Sequence, residues 1–217
     1  MRPAIVYTAL GDSLTLGSGA LLSKGFVERY TDILRQTFHR PVVTHVHAQR
    51  RITSGQLLHM ISNPFVRQDI YQADIMTITI GGNDLLQANR RFLRTNDQAE
   101  FENAYYMYCG NLKKILDEIR MIKQKRHSTY IIQLIGLYNP YPSLSYSDYW
   151  VCRFNQAMQS MAGNGILYVD TFTVMTGGGK NVLSFGIHPN GNGYQLFASQ
   201  LAHSLRTTPA AKQWYYS

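Results

Sequence analysis

Ala4-Ile5-Val6-Tyr7-Thr8-Ala9-Leu10 runs almost unbroken in apolar and β-prone residues and stops at Gly11. A second run of the same kind, Asp74-Ile75-Met76-Thr77-Ile78-Thr79-Ile80, stops at Gly81-Gly82. Strands without polar alternation belong in a sheet covered on both faces, the usual state of a parallel sheet. Between and beyond them, stretches with strand character alternate with stretches of helical period. Val42–Val46, Tyr130–Ile135 and Ile166–Val169 read as strands. Gly25–Phe38, Ser54–Ile61, Asp97–Lys125 (with a break expected near Gly110), Ser147–Met161 and Gly193–Leu205 read as helices. Strand and helix repeated about five times predict an α/β fold around a parallel sheet. Leu86–Arg94, Tyr138–Tyr146 and Thr173–Phe185 read as irregular.

The 217 residues suit one globular domain, expected over 1–206, with 207–217 a C-terminal tail that either frays or docks through Trp214-Tyr215-Tyr216. Hydrophobic residues make up 45% and charged residues 16%, which excludes a disordered chain. No apolar run reaches the roughly 20 residues of a membrane span. The first residues enter a strand-like run without the apolar region and cleavage site of a secretory signal. A cytoplasmic or spore-associated protein is expected, or a mature form given without its signal. Cys109 and Cys152 stand outside any CxxC or Cys/His cluster and read as buried free thiols, with a disulfide left open.

The net charge of +8 favours anionic partners: acidic lipid surfaces, phosphorylated substrates or nucleic acid. The basic residues are scattered in small groups, Arg50-Arg51, Arg90-Arg91 and Lys123/Lys125/Arg126, so a solvated basic surface accounts for them equally well. The charge and 15 tyrosines raise a nucleic-acid-binding reading, but no helix-turn-helix, RNP-like or zinc pattern supports it, and no nucleic-acid partner is expected.

Three motifs carry chemistry. Gly11-Asp12-Ser13-Leu14 follows the first strand, where a serine in a tight turn exposes its hydroxyl and its own N–H together. Gly81-Gly82-Asn83-Asp84 follows the third strand, and an asparagine amide there is a good oxyanion donor. His188-Pro189-Asn190 precedes the last helix, and histidine accepts a serine proton near neutral pH. Taken singly each has a bland explanation: a helix-capping serine, a Gly-Asn turn, a capping histidine.

In this order and at these positions the three motifs resemble the blocks of the SGNH hydrolases, the GDSL lipases and esterases, over nearly the whole chain. Thr53–Leu58 and Leu137–Pro140 are similar to the small bacillary-type members, spore germination lipases among them. The resemblance implies a flavodoxin-like three-layer α/β/α sandwich of about five parallel strands and no metal or organic cofactor. It implies a lipid or small-molecule acyl ester as substrate. Ser13 is then the nucleophile and His188 its general base, with Ser13 N–H and Asn83 as oxyanion donors. The family's second block has a glycine as a further donor, and alignment on Thr53-Ser54 and Leu57-Leu58 puts Arg51 there. The family's acid, three residues before the histidine, is replaced by Phe185, so a backbone carbonyl, that of Phe185 first, is the expected acceptor for the histidine. Asp170 and Asp12 are further acidic candidates. These two departures keep open a weakened or inactive member that binds lipid or glycan, and the fold leaves carbohydrate deacetylation open.

Overall fold

The computed structural model describes residues 3–126, 128–184, 186–212 and 214. Five strands, β1 (Ile5–Gly11), β2 (Val42–Ala48), β3 (Ile75–Thr79), β4 (Ile131–Ile135) and β5 (Ile166–Val169), form one parallel sheet in the order β2-β1-β3-β4-β5. This is the flavodoxin order, and chain direction across the sheet reverses between β1 and β3. All residues of β3 and β4 are buried, as their unbroken apolar runs require.

The sheet has a core on each face. On one side α1 (Phe26–Phe38) and α8 (Gly191–Arg206) lay Phe26, Tyr30, Leu34, Phe197 and Leu201 on it. Polar pins cross this core: Tyr30 donates to Gln133 Oε1 at 2.7 Å, and Gln133 Nε2 donates to the Leu201 carbonyl at 2.8 Å. On the other side lie α2 (Ser54–Met60), α3 (Pro64–Gln72), α4 (Gly82–Thr95), α5 (Ala99–Gln124) and α6 (Ser147–Ser160). The short α7 (Phe172–Gly178) leads through a 3-10 turn, Gly179–Val182, toward α8.

Several expectations need correction. Leu86–Arg94 is not irregular but lies within α4. Its inward face borders a cavity, Ala88 is its single fully buried residue, and the many polar residues of the segment hid an apolar face that is in fact spaced for a helix. Thr173–Gly178 belongs to α7, disguised by Gly177-Gly178-Gly179. The helix α3 was not anticipated, although Asn63-Pro64 is a start signal: Asn63 accepts from the Phe65 N–H, and Pro64 stands where no N–H is needed. No break occurs at Gly110, because the buried face of α5 outweighs the roughly 1 kcal/mol a mid-helix glycine costs. Cys109 and Cys152 are free but only partly buried. In the tail, Trp214 is buried and meets Phe38 edge-on at 5.9 Å, while Tyr215 and Tyr216 lie outside the described residues.

Candidate active site

The turn after β1 is locked to the end of β3. Gly11 has φ 148°, and a Cβ there would fall 2.2 Å from Thr79 Oγ1 and 2.4 Å from the Thr79 carbonyl oxygen, so only glycine fits. Asp12 is buried; its Oδ1 accepts from the Leu14 N–H at 2.9 Å and from Thr79 Oγ1 at 3.0 Å. Burial pushes the Asp12 carboxyl up to about 6, against the lowering effect of the Leu14 N–H and the Thr79 hydroxyl. The result is a rigid bend that presents Ser13, half-exposed, at the carboxyl edge of the sheet.

His188 reaches the same place from the other end of the chain. Asn190 caps α8, its side chain accepting from the Asn192 and Gly193 N–H groups. The same side chain donates to the Asn181 and Leu183 carbonyls, so the start of α8 is tied to the preceding loop. Between these anchors the His188 carbonyl accepts from the Ser184 N–H at 2.9 Å. The ring then stands with Nε2 2.9 Å from Ser13 Oγ, across a sequence separation of 175 residues. Burial, and secondly the Arg50 charge, hold the imidazole below its ordinary pKa and favour the neutral, proton-accepting form.

Asn83 stands in the first turn of α4, after Gly81, whose φ of 106° and close approach to the Tyr108 ring exclude a side chain. One Asn83 N–H donates to the Ile52 carbonyl at 3.0 Å. The next residue, Asp84, holds the start of α2: its carboxylate accepts from the Ser54 N–H at 2.9 Å and from the Ser54 hydroxyl at 2.6 Å. Its pKa is raised by burial, partly offset by those two bonds.

Ser13, Asn83 and His188 all line one cavity, whose walls are otherwise largely apolar: Leu14, Leu85, Leu86, Phe101, Leu137 and Trp150 are among them. Arg51 is not among the lining residues; its side chain is exposed, and its backbone is left-handed at φ 65°. Phe185, expected to orient His188 through its carbonyl, lies outside the described residues. The acidic candidates are engaged elsewhere: Asp12 as above, and Asp170 with the Thr173 N–H and hydroxyl. Among the described residues no carboxylate is ion-paired with His188, and no group of three or more His, Cys, Asp or Glu is disposed to hold a metal ion.

Sequence reasoning missed three contributors. Thr79 and Asp84 act through contacts between distant segments, which no local pattern signals. Tyr138 was read only as the start of an irregular segment, yet it lines the cavity and its hydroxyl donates to the Ile187 carbonyl.

The model of the GDSL-like lipase/acylhydrolase family matches residues 9–196. The chain is 35% identical over 198 residues to the spore germination lipase LipC of Bacillus licheniformis, covering 90% of this chain and 93% of that one. It is 27% identical to the uncharacterized protein YpmR of Bacillus subtilis, covering 96% and 84%. Among solved structures, a lipase from a goat rumen metagenome superposes with a TM-score of 0.88 at 35% identity, covering 93% of this chain and 97% of that one. TesA shares the fold at a TM-score of 0.70 and 18% identity, covering 93% and 98%. The order of the three motifs, the sheet they sit on and these likenesses together show that the chain belongs to the GDSL-like lipase/acylhydrolase family.

Proposed function

We propose that the chain is a serine esterase or lipase that cleaves lipid-like acyl esters through an acyl-Ser13 intermediate. The observation that carries this reading is the 2.9 Å contact between Ser13 Oγ and His188 Nε2 at the wall of a largely apolar cavity. Ser13 Oγ attacks the ester carbonyl carbon while His188 Nε2 takes its proton. The carbonyl oxygen becomes an oxyanion, held by the Ser13 N–H and by the second N–H of Asn83, the first being fixed on Ile52. Collapse expels the alcohol, which receives the proton from His188. Water then attacks the acyl-enzyme by the same route and restores Ser13.

The Arg51 N–H is proposed as a third oxyanion donor. Its backbone is left-handed at φ 65°, a conformation glycine adopts without strain, so Arg51 keeps there a backbone geometry open to the glycine it replaces. A main-chain carbonyl, that of Phe185 first, is proposed as the acceptor for His188 Nδ1. A neutral acceptor stabilises the imidazolium less than a carboxylate does, so a slow enzyme is expected. The apolar walls favour an acyl chain over a sugar, and so favour lipid esters over carbohydrate acetates. The relationship to a spore germination lipase supports a place among spore-associated hydrolases.

A panel of nitrophenyl esters, phospholipids and acetylated sugars, assayed with wild type and Ser13→Ala, tests the reading. Ser13→Ala abolishes ester turnover and fluorophosphonate labelling while the protein stays folded. Wild-type turnover in the alanine variant overturns the nucleophile. An unlabelled, inactive wild type favours a binding protein on this fold.

A further inference from the structure

The loop between Ser13 and α1 ends in a feature that the chemistry at Ser13 does not use. Ala20-Leu21-Leu22-Ser23 is a tight turn, closed by the Ser23 N–H and the Ser23 hydroxyl, which donate to the Ala20 carbonyl at 2.9 Å and 2.7 Å. Leu21 holds the first corner at φ 53°. Corners of this hand are the province of Gly, Asn and Asp, and a Cβ-bearing apolar residue is strained there. Burial does not repay the strain within the molecule: Leu21 is 84% exposed and Leu22 is fully exposed. Leu16, on the same loop, is 45% exposed.

The turn stands beside the site. A Cβ on Gly19 would fall 2.7 Å from His188 Cβ and 2.6 Å from the Pro189 carbonyl oxygen, so the loop backbone is seated on the His188 segment. A Cβ on Gly191 would fall 2.6 Å from Ser23 Oγ, which seats the far side of the turn on the start of α8. Tyr194 donates to the Ser18 carbonyl at 2.6 Å and holds its base. The surroundings are cationic. Lys24 follows directly, Arg29 lies against Gly191, and the Arg50 charge acts on His188. Of the neighbouring acids, Asp32 pairs with Lys24 at 2.6 Å and Glu28 accepts from the Gly25 N–H at 3.0 Å. The whole chain carries +8.

We propose that the Leu21-Leu22 turn is an interfacial anchor that enters the surface of an anionic phospholipid bilayer and sets the Ser13–His188 cavity against it. Leucines that stay in water in the free protein move to the acyl boundary, and the surrounding cations meet anionic headgroups. A leucine at a corner made for asparagine is then accounted for by what its side chain gains outside the molecule. The proposal takes its purpose from the esterase reading, but its test does not depend on that reading.

The test compares cosedimentation of Ser13→Ala, which leaves the lipid intact, with that of the same protein also carrying Leu21→Asn and Leu22→Ser. The vesicles are phosphatidylcholine alone and phosphatidylcholine mixed with phosphatidylglycerol. The leucine pair on an active Ser13 background is assayed on a soluble short-chain ester, with its melting temperature and oligomeric state. Binding is expected on the anionic vesicles and weakened by salt. The leucine substitutions lower the partition coefficient by about tenfold or more, while soluble-ester turnover is unchanged and melting is unchanged or higher. Equal binding with and without the leucines overturns the proposal, as does leucine-independent binding driven by charge alone. A dimer that the substitutions dissolve, with no vesicle binding, assigns the turn to a contact between two copies and also overturns it. Leucine-dependent binding by a protein with no ester turnover upholds the anchor and defeats the esterase reading.

Discussion

The Tyr138 hydroxyl donates to the Ile187 carbonyl, the peptide that leads into His188. From the other side, the Ser184 N–H and hydroxyl both donate to the His188 carbonyl, at 2.9 Å and 3.2 Å. The Tyr138 loop is itself pinned, because Asn155 exchanges two hydrogen bonds with the Leu137 backbone, at 2.7 Å and 2.8 Å. With no carboxylate on the ring among the described residues, His188 is held through its backbone. Tyr138→Phe keeps the ring that walls the cavity and removes only this hold. It lowers kcat on a soluble ester by roughly tenfold with little change in KM, and costs about 1 kcal/mol of stability. Steady-state kinetics alongside denaturant titration check this; an unchanged kcat removes the positioning role.

The pH profile follows from the depressed imidazole. In the proposed mechanism neutral His188 is the base, so the acid limb of kcat/KM is expected below the ordinary imidazole value, chiefly through burial and secondly through Arg50. Removing a nearby cation makes the imidazolium easier to form. Arg50→Gln therefore moves the acid limb to higher pH, by a fraction of a unit to about one unit, and lowers activity most at the acid end. A profile that does not move excludes Arg50 as a neighbour of the base.

Asn83 is tested at the oxyanion. The bond to Ile52 fixes its amide, so in the proposed mechanism Asn83→Ala removes a preorganised donor rather than a mobile one. Turnover falls by about a hundredfold, with KM changed by less than about threefold. Rapid kinetics that show a normal tetrahedral step in the variant would remove Asn83 from the mechanism.

Asp12 makes stability depend on pH. Its folded carboxyl lies at about 6, above its unfolded value, so the native state holds the proton more tightly. The stability it contributes is present in full below the unfolded value near 3.8 and is lost as pH rises through about 6. Asp12→Asn keeps an oxygen for the Leu14 N–H and carries no charge to bury. Between pH 4 and 7 the variant should therefore lose less stability than wild type, by about 2 kcal/mol. Melting curves of both proteins across that range decide it; parallel curves would mean that Asp12 titrates normally.

The sheet was legible because its central strands β1, β3 and β4, covered on both faces, leave nearly unbroken apolar runs, while the edge strands β2 and β5 stood out by their β-branched residues although both are partly exposed. Helices facing solid core, α1 and α8 above all, were legible from their period. α4 was not, because the segment is rich in polar and arginine residues and follows a Gly-Gly pair, although its apolar residues are spaced for a helix; Leu85 and Leu86 on that face line a cavity instead of solid core. In the site, Ser13, Asn83 and His188 stood out because each sits in a short motif at the end of a strand or the start of a helix. Thr79, Asp84 and Tyr138 did not, because what they do depends on partners 30 or more residues away, Asp84 with Ser54 and Tyr138 with Ile187 among them.

The span of 175 residues between Ser13 and His188 makes their contact a reporter of tertiary assembly. Ser13 hangs on the end of β1 and His188 stands just ahead of α8, so the two meet only while α8 lies packed on α1. In the proposed mechanism, any state in which α8 has come away from the sheet leaves Ser13 without its base, so loss of turnover registers local opening there before the whole domain unfolds.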